Sequence, residues 1–195
     1  MMTVLVARLL WVAGVVAWGV IRYPFQRRAR RLGVARSTGG TGDRLALGAA
    51  TLGLFIVPGI YAATGFPAVG DYAFQPALGW LGLVVLIAGL VLFRVTHKQL
   101  GRNWSITLET RATHTLVTGG LYRYVRHPMY FSFLVWAVAQ ALLLPNWVAG
   151  LAGLAGLAVL FAYRIGREEA LMIETFGEEY RAYMRRTARI VPWLF

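Results

Sequence analysis

The feature that most constrains this chain is a set of four long apolar stretches. They cover residues 3–21, 45–64, 77–95 and 130–163. A transmembrane helix needs roughly 20 mostly apolar residues, and each of the first three stretches is about that long. The fourth is too long for one span and contains Pro145-Asn146, a dipeptide typical of turns. We therefore predict an all-α integral membrane protein with five transmembrane helices, of which the last two form a helical hairpin.

The first apolar stretch lies where a secretory signal peptide would lie. It has no evident cleavage site of small residues, and seven Arg residues follow it before the second stretch. An apolar run followed directly by positive charge is typical of a stop-transfer segment. We therefore count it as a membrane helix. In the second helix we expect a kink at Pro58.

The basic residues are distributed as five helices require. Of the 20 Lys and Arg residues, seven lie in the first predicted loop, six in the third and six after the fifth helix. The second loop and the Pro145-Asn146 turn have none, and Arg8 alone precedes the first loop. Cytoplasmic loops of membrane proteins are enriched in Lys and Arg. We therefore expect the N-terminus outside and the C-terminus in the cytoplasm.

This topology also accounts for the formal net charge of +12. A strongly basic chain is a candidate for nucleic-acid binding, but 58% of the residues are hydrophobic and the charges follow the loops. We predict no nucleic-acid partner. Only one of the 20 basic residues is Lys, a bias that points to a GC-rich bacterial genome and hence to a bacterial inner membrane.

Polar side chains concentrate beside the last two predicted helices. His97, His114 and His127 lie in or next to residues 99–129, a segment long enough to suggest a functional loop. We expect His97 to be an interfacial anchor at the end of the third helix. After the fifth helix, Arg164 and Glu168 share one helical face because they are four residues apart. Charges beside a membrane are functional candidates, although a plain interfacial ion pair has the same spacing.

Several kinds of site are excluded by what the sequence lacks. The chain has no Cys, so thiolate metal sites and Cys nucleophiles are absent. No glycine-rich phosphate motif follows a predicted strand, which excludes a soluble dinucleotide-binding domain. A metal site of His114, His127 and Glu168 is conceivable, but no known His-rich ligand spacing supports it, and we predict no metal. We assign the glycines at 150, 153 and 156 to close helix packing.

Five short motifs in the C-terminal half occur in a characteristic order. They are His114-Thr115-Leu116-Val117, Gly120-Leu121-Tyr122, Arg126-His127-Pro128-Met129-Tyr130, Arg164-Ile165 with Glu168-Glu169, and Phe176-Gly177-Glu178-Glu179-Tyr180. Together they resemble the isoprenylcysteine carboxyl methyltransferase family. The resemblance covers residues 100–195, and the first two helices carry no signature.

The resemblance implies an integral membrane enzyme that uses S-adenosyl-L-methionine. In this family the cofactor arrives from the cytosol, while a lipid-attached substrate arrives through the bilayer. We therefore expect a single membrane domain, residues 1–195. Residues 1–98 would form the first three helices with the basic loop, and residues 99–195 the catalytic half with the third loop, the hairpin and a C-terminal helix.

The resemblance also implies which residues form the site. Arg164 would hold the substrate carboxylate, and Glu168 would contact the cofactor, so these two are the expected catalytic residues. Whether Glu109 or Glu169 also contacts the cofactor stays open. The remaining cofactor-binding residues that the family motifs imply are His114, Thr115, Leu116, Val117, Tyr122, His127, Pro128, Met129 and Tyr130.

The expected acceptor is a carboxylate on an isoprenoid or prenylcysteine-like molecule. A carboxylate is already ionised at neutral pH, so its methylation requires no general base. The expected partners are thus a lipophilic small-molecule or lipidated substrate and membrane lipid. The alternatives are a phospholipid or thiol methyltransferase of the same superfamily, and an NADPH-dependent membrane enzyme of the sterol-reductase type.

Overall fold

The computed structural model describes residues 1–29, 36–37, 40–101, 109–110 and 115–194. Two-residue strands, β1 (Arg36–Ser37) and β2 (Glu109–Thr110), pair antiparallel, and a 3₁₀ turn covers Gly120–Arg123. A π-helical segment, Leu52–Ile56, joins α2 to α3. The described residues form the α-helices α1 (Val4–Ala29), α2 (Thr41–Thr51), α3 (Val57–Thr64), α4 (Pro76–Leu100), α5 (Pro128–Leu143), α6 (Trp147–Phe176) and α7 (Glu178–Arg186).

Four helices in the described part of the chain are long and apolar enough to cross a membrane. They are α1, the continuous helix Thr41–Thr64 that contains α2 and α3, α4, and α6. The prediction of an all-α membrane protein is therefore confirmed. A further apolar helix, α5, lies between α4 and α6 and has 16 residues. It is shorter than the roughly 20 that a full span requires.

The last membrane helix is longer than its apolar part. The fourth stretch divides as predicted between α5 and α6, which are separated by Leu144–Asn146. However, α6 does not end near Tyr163 but continues to Phe176, through a segment rich in the strong helix formers Glu, Ala, Leu and Met. Arg164 and Glu168 consequently lie on the same rigid helix that packs in the middle of the bundle.

Glycines bring α6 close to the second membrane helix, as their spacing predicts. A Cβ added to Gly53 would overlap the backbone of Ala152, and one added to Gly156 would lie 2.5 Å from the carbonyl oxygen of Ala49. Gly153 lies against Leu54 and other side chains. Small residues allow helix backbones to approach closely where apolar lipid provides no hydrophobic driving force.

The π-helical segment explains how the second membrane helix accommodates Pro58. The Val57 N–H bonds to the Leu52 carbonyl, five residues back. Proline has no N–H to continue the α-helical ladder, so a π turn just before it keeps the helix continuous. The amide of the fully buried Gln140 donates to the Gly53 carbonyl at 3.1 Å and to the Ala149 carbonyl at 2.8 Å, which ties α5 to both neighbours.

His97 differs from its sequence-based prediction. It is fully buried, and its Nδ1 lies 2.9 Å from the Phe93 carbonyl oxygen. Its ring packs against Phe93 and against Phe25 of α1, with centroids 4.2 and 4.9 Å apart. The expected role as an interfacial anchor is therefore wrong, because α1 covers the end of the apolar stretch that precedes His97.

The five apolar helices alternate in direction, which gives the bundle two distinct ends. α1 and α4 run parallel, since Gly14 meets Leu86 and Phe25 meets His97. The turn end contains Arg8, residues 65–75 and residues 144–146. The basic end contains the start of α2, the ends of α4 and α6, the start of α5, and α7 with residues 187–194. Arg8 is the one described Lys or Arg residue that belongs to the turn end.

Candidate active site

A cavity of about 390 Å³ lies toward the basic end and extends into the bundle. This volume falls within the range of roughly 300–1,000 Å³ that small-molecule sites occupy. Its inner part is apolar and is lined by Trp18, Leu47, Leu54, Phe55, Phe133 and Leu160. Its polar part is formed by Tyr122, Arg126, His127, Tyr130, Arg164 and Glu168, and apolar residues such as Met129 and Leu171 also line the cavity. One cavity thus joins an apolar compartment to a cluster of charged groups.

Most of the residues that the family motifs imply surround this cavity. Pro128 is fully buried at the start of α5, and it is not among the described residues that line the cavity. His114 lies outside the described residues, and of Glu109 only the backbone in β2 is described. The implied residues that line the cavity are Thr115, Leu116, Val117, Tyr122, His127, Met129, Tyr130, Arg164 and Glu168.

Glu168 is the central acid of the polar part. Its carboxylate accepts a hydrogen bond from the Tyr130 hydroxyl at 2.5 Å and forms ion pairs with Arg164 Nε at 3.1 Å and His127 Nδ1 at 3.4 Å. The side chain remains 24% exposed, in contrast to its neighbours. Glu168 is therefore held in a fixed orientation while part of its carboxylate still faces the cavity.

His127 lies between two carboxylates. Its Nδ1 is 3.4 Å from Glu168 Oε2, and its Nε2 is 3.3 Å from Glu169 Oε1. Burial alone would lower the pKa of His127, but the two adjacent carboxylates outweigh it and raise the pKa above its ordinary value. A protonated imidazole donates from both nitrogens, which is what the two carboxylates require. The two contacts therefore favour the protonated form of His127.

Glu169 belongs to a cluster behind the cavity. Its buried carboxylate pairs with Arg126 Nε at 2.9 Å and with Arg189 Nη2 at 2.6 Å, in addition to His127. Arg126 also donates to the backbone carbonyls of Thr187 and, at 3.1 Å, Met184. This cluster fastens the segment after α7 to the start of α5. Of the two adjacent glutamates, Glu168 lines the cavity, whereas Glu169 holds the surrounding chain.

The 3₁₀ turn that carries Tyr122 is held from two sides. The Leu121 N–H donates to the Gln99 side chain at 2.9 Å, and the Tyr183 hydroxyl donates to the Tyr122 carbonyl at 2.5 Å. Gly120 has a φ of 62°, and the Gln99 side chain occupies the space that a Cβ there would need. Burial raises the pKa of Tyr122 well above its ordinary value, so its hydroxyl is neutral.

Sequence reasoning missed the contribution of the N-terminal half. Asp43, in the first turn of α2, is buried and lies 3.2 Å from Arg164 Nε. Trp18 and Arg22 of α1 line the cavity beside residues of α2. The sequence signal for Asp43 is slight: it is the first acidic residue of the chain, and only Arg44 separates it from the apolar stretch that begins at residue 45. Trp18 is one of many large apolar residues and carries no signal.

The chain resembles known proteins over the part that carries the polar cluster. Residues 80–174 match the model of the isoprenylcysteine carboxyl methyltransferase (ICMT) family. These residues extend from the first turns of α4 almost to the end of α6. The match therefore includes Arg164, Glu168 and Glu169, and it leaves out α1, α2, α3 and α7.

Several curated relatives carry closely related names. A probable protein-S-isoprenylcysteine O-methyltransferase of Oryza sativa subsp. indica is 33% identical over 131 residues, which is 66% of this chain and 67% of the relative. The protein-S-isoprenylcysteine O-methyltransferase of Dictyostelium discoideum is 32% identical over 129 residues, 65% of this chain and 53% of the relative. That of Schizosaccharomyces pombe is 36% identical over 118 residues, 60% of this chain and 48% of the relative.

A solved structure has a similar fold. It is that of the eukaryotic intramembrane Ras methyltransferase ICMT without a monobody, with a TM-score of 0.54 and 26% sequence identity. The match covers 77% of this chain and 52% of that chain. The chain thus spans about half to two thirds of the length of these similar proteins. By sequence and by fold, the chain belongs to the isoprenylcysteine carboxyl methyltransferase family.

Proposed function

We propose that this chain transfers a methyl group from S-adenosyl-L-methionine to a carboxylate of a lipophilic, isoprenoid or prenylcysteine-like acceptor. The observation that carries the proposal is the single cavity in which an apolar compartment meets Arg164 and Glu168. An amphiphilic acceptor with an anionic end matches such a compartment. The names of the relatives point to the same chemistry.

The residues around the cavity fit S-adenosyl-L-methionine. The partly exposed Glu168 carboxylate suits the ammonium group or the ribose hydroxyls, and it adds negative charge near a sulfonium. The aromatic rings of Tyr122, His127 and Tyr130 suit hydrogen bonding and stacking with adenosine. The cofactor supplies an activated methyl group when bound. The segment Thr115–Val117, together with Pro128 and Met129, would complete this part of the site, as would His114.

Arg164 is the proposed partner of the acceptor carboxylate. Its guanidinium is a permanent cation, and Arg164 lines the same cavity as the apolar residues Leu54 and Leu160. A planar guanidinium binds a carboxylate with well-defined geometry. Alignment of a bound acceptor with a bound donor can supply a large part of the rate enhancement without acid–base chemistry.

The state of His127 favours a carboxylate over the alternative acceptors. A thiol or an amine must lose a proton to become a methyl acceptor, and histidine is the usual base. Here both imidazole nitrogens face carboxylates, and the pKa of His127 is raised. An already ionised acceptor needs no such base. This supports carboxyl methylation over thiol or phospholipid methylation.

We also propose a membrane arrangement for the chain. α5 would serve as a fifth, short span, since its 16 residues extend about 24 Å at 1.5 Å per residue and the chain reverses at Leu144–Asn146. The basic end would face the cytoplasm, with the N-terminus outside and the C-terminus inside, and the membrane would be a bacterial inner membrane. The clustering of Lys and Arg at one end supports this orientation. The soluble cofactor would then reach the polar part of the cavity from the cytoplasm.

A binding titration followed by an acceptor screen tests the proposal. We expect purified protein to bind S-adenosyl-L-methionine and its demethylated product in a calorimeter, and not NADPH. Labelled methyl groups should then be transferred to an S-prenylcysteine with a free carboxylate. Binding of NADPH alone, or transfer only to a thiol or a phospholipid amine, would overturn the proposal.

A further inference from the structure

Among the residues that the structure describes, the carboxylates of Asp43 and Glu168 lie close to Arg164 Nε, and only Glu168 belongs to the family motifs. Glu168 Oε1 lies 3.1 Å from Arg164 Nε, one helical turn away on α6. Asp43 Oδ1 lies 3.2 Å from the same nitrogen and comes from α2. The side chains of Asp43 and Arg164 are only 3% and 7% exposed. Arg164 Nε therefore lies near carboxylates from two different helices, α2 and α6.

Asp43 lies behind the guanidinium. Arg164 and Glu168 line the cavity, whereas Asp43 is not among the described residues that line it. Arg164 thus forms part of the cavity wall, and Asp43 does not. It reaches Arg164 from the interface between α2 and α6. A ligand in the cavity would meet the guanidinium and not the aspartate.

The ion pair is close but lacks the geometry of a hydrogen bond. Among the described residues, neither carboxylate oxygen of Asp43 has a hydrogen-bond partner, so Arg164 is its principal charge partner. Burying a carboxylate with so few partners costs free energy, and buried ion pairs are poor stabilisers compared with apolar packing. Stability alone is therefore a weak reason for an aspartate at this position.

The start of α2 packs closely against α6, which fixes Asp43 next to Arg164. A Cβ on Gly42 would overlap the Tyr163 hydroxyl, so the residues next to Asp43 and next to Arg164 are in close contact. The glycines at 53 and 156 continue the same close approach along the two helices. Asp43 is consequently held at a fixed distance from Arg164.

We propose that Asp43 is a positioning residue that orients the Arg164 guanidinium toward the acceptor carboxylate. The inference rests on the proposed function of Arg164. Asp43 and Glu168 place two negative charges against Arg164 Nε, and their attraction holds the guanidinium at this point of the cavity wall, where it would meet an acceptor carboxylate. Asp43 lies outside the residues that match the family model, so the N-terminal part of this chain tunes the polar cluster of its C-terminal half.

Steady-state kinetics of Asp43→Asn test this role. The substitution keeps the size of the side chain and removes its charge. We expect kcat/KM for an S-prenylcysteine acceptor to fall about 10–100-fold, mainly through KM, because small misalignments of a substrate-holding group have effects of this size. The dissociation constant of S-adenosylhomocysteine should change less than about twofold, since Asp43 does not line the cavity.

Asp71→Asn is the matched control. Asp71 is the other aspartate of the chain and lies at the turn end, where its carboxylate accepts a hydrogen bond from Asn146. It should leave kcat/KM for the acceptor unchanged. Asp43→Glu restores the charge on a longer side chain, and we expect it to recover part of the loss. A purely structural Asp43 would gain nothing from a restored charge.

Each other outcome contradicts the inference in a distinct way. If Asp43→Asn has the kcat/KM of the parent, Asp43 has no positioning role. If S-adenosylhomocysteine binding falls together with kcat/KM, Asp43 only fastens α2 to α6. If Asp43→Asn does not purify as folded protein, the uncharged Asp43→Ala takes its place, and parent-like kinetics of that variant overturn the inference. A parent that methylates no carboxylate acceptor overturns the proposed function, and this inference with it.

Discussion

The two ends of the helix bundle use buried polar groups in different ways. At the turn end, Asn146 is fully buried and satisfies the backbone: its amide donates to the Pro67 carbonyl at 2.8 Å and to Asp71 at 2.6 Å. Its carbonyl oxygen accepts from the Ala149 N–H at 2.8 Å and caps α6. Here one amide closes a turn and joins it to the preceding loop.

At the basic end, charged groups share partners around a cavity. Asp43, Glu168 and Glu169 face Arg164, Arg126, Arg189 and His127 in two linked clusters. Buried ion pairs stabilise a fold little compared with apolar packing, because desolvation offsets much of their attraction, but removal of one partner leaves the other charge buried and destabilises the fold. Substitutions at the turn end should therefore reduce stability and leave activity intact, whereas substitutions in the basic-end clusters should reduce activity as well.

The largest effect is expected for Arg164→Ala. Loss of the cation at the acceptor carboxylate should lower kcat/KM for methyl transfer by about 100–1,000-fold, as loss of a single charge-stabilising donor does in other enzymes. Binding of S-adenosylhomocysteine, measured by calorimetry, should persist. The matched control is Arg181→Ala, because Arg181 forms an exposed ion pair with Glu178. Unchanged kinetics of Arg164→Ala would remove the basis for a carboxylate acceptor.

Glu168→Gln should mainly weaken the binding of the cofactor. Hydrogen bonds to charged groups contribute about 1.5–3 kcal/mol, which corresponds to roughly 10–100-fold in affinity. We therefore expect the dissociation constant of S-adenosyl-L-methionine to rise by that factor in a calorimetric titration. Glu178→Gln, at an exposed carboxylate, is the control. Parent-like affinity of Glu168→Gln would show that this carboxylate faces something other than the cofactor.

Asn146→Ala should reduce stability and leave the chemistry intact. The substitution removes the cap of α6 and the hydrogen bonds to Pro67 and Asp71. Loss of a helix cap alone costs about 0.5–2 kcal/mol. The thermal midpoint in detergent should fall, while kcat/KM well below that midpoint stays at the parent value. Asn146→Ser keeps a capping oxygen and should lose less. A loss of activity with no change in midpoint would break the distinction between the two ends.

The smallest expected effect is on the pH dependence of thermal stability. The pKa of His127 is raised in the folded protein, so the folded state binds this proton more tightly than the unfolded state. Its contribution to stability is therefore complete below about pH 6.5, the ordinary value, and is lost as pH rises through the raised pKa. The thermal midpoint of the parent should decline across that interval more than that of His127→Gln. Equal declines would mean that the imidazole is neutral between its two carboxylates.

Hydropathy and charge predicted the membrane helices and their alternation, since lipid imposes both patterns on local sequence. The same patterns gave wrong or incomplete predictions where contacts between distant segments determine the local structure. His97 has the appearance of an interfacial residue until Phe25 of α1 covers it. The charges after Tyr163 interrupt the apolar stretch, yet α6 continues because those residues favour a helix. Gln140, from a helix distant in sequence, donates a hydrogen bond to the Gly53 carbonyl within the π-helical segment.

The candidate site shows the same contrast. The motifs led to Tyr122, His127, Arg164 and Glu168 because their order and spacing lie within one continuous part of the chain. Asp43 could not be found in this way, since its pairing with Arg164 exists only when α2 packs against α6. The division of labour between Glu168 and Glu169 was equally invisible, because adjacent residues on a helix point in different directions.

The most direct test compares two acceptors that differ only at the reacting group. The protein, reconstituted in lipid nanodiscs with labelled S-adenosyl-L-methionine, is given an S-prenylcysteine with a free carboxylate and, separately, its carboxamide. We predict a base-labile methyl ester from the carboxylate and no labelled product from the carboxamide. Equal labelling of both, or label on neither with the cofactor bound, would contradict the account.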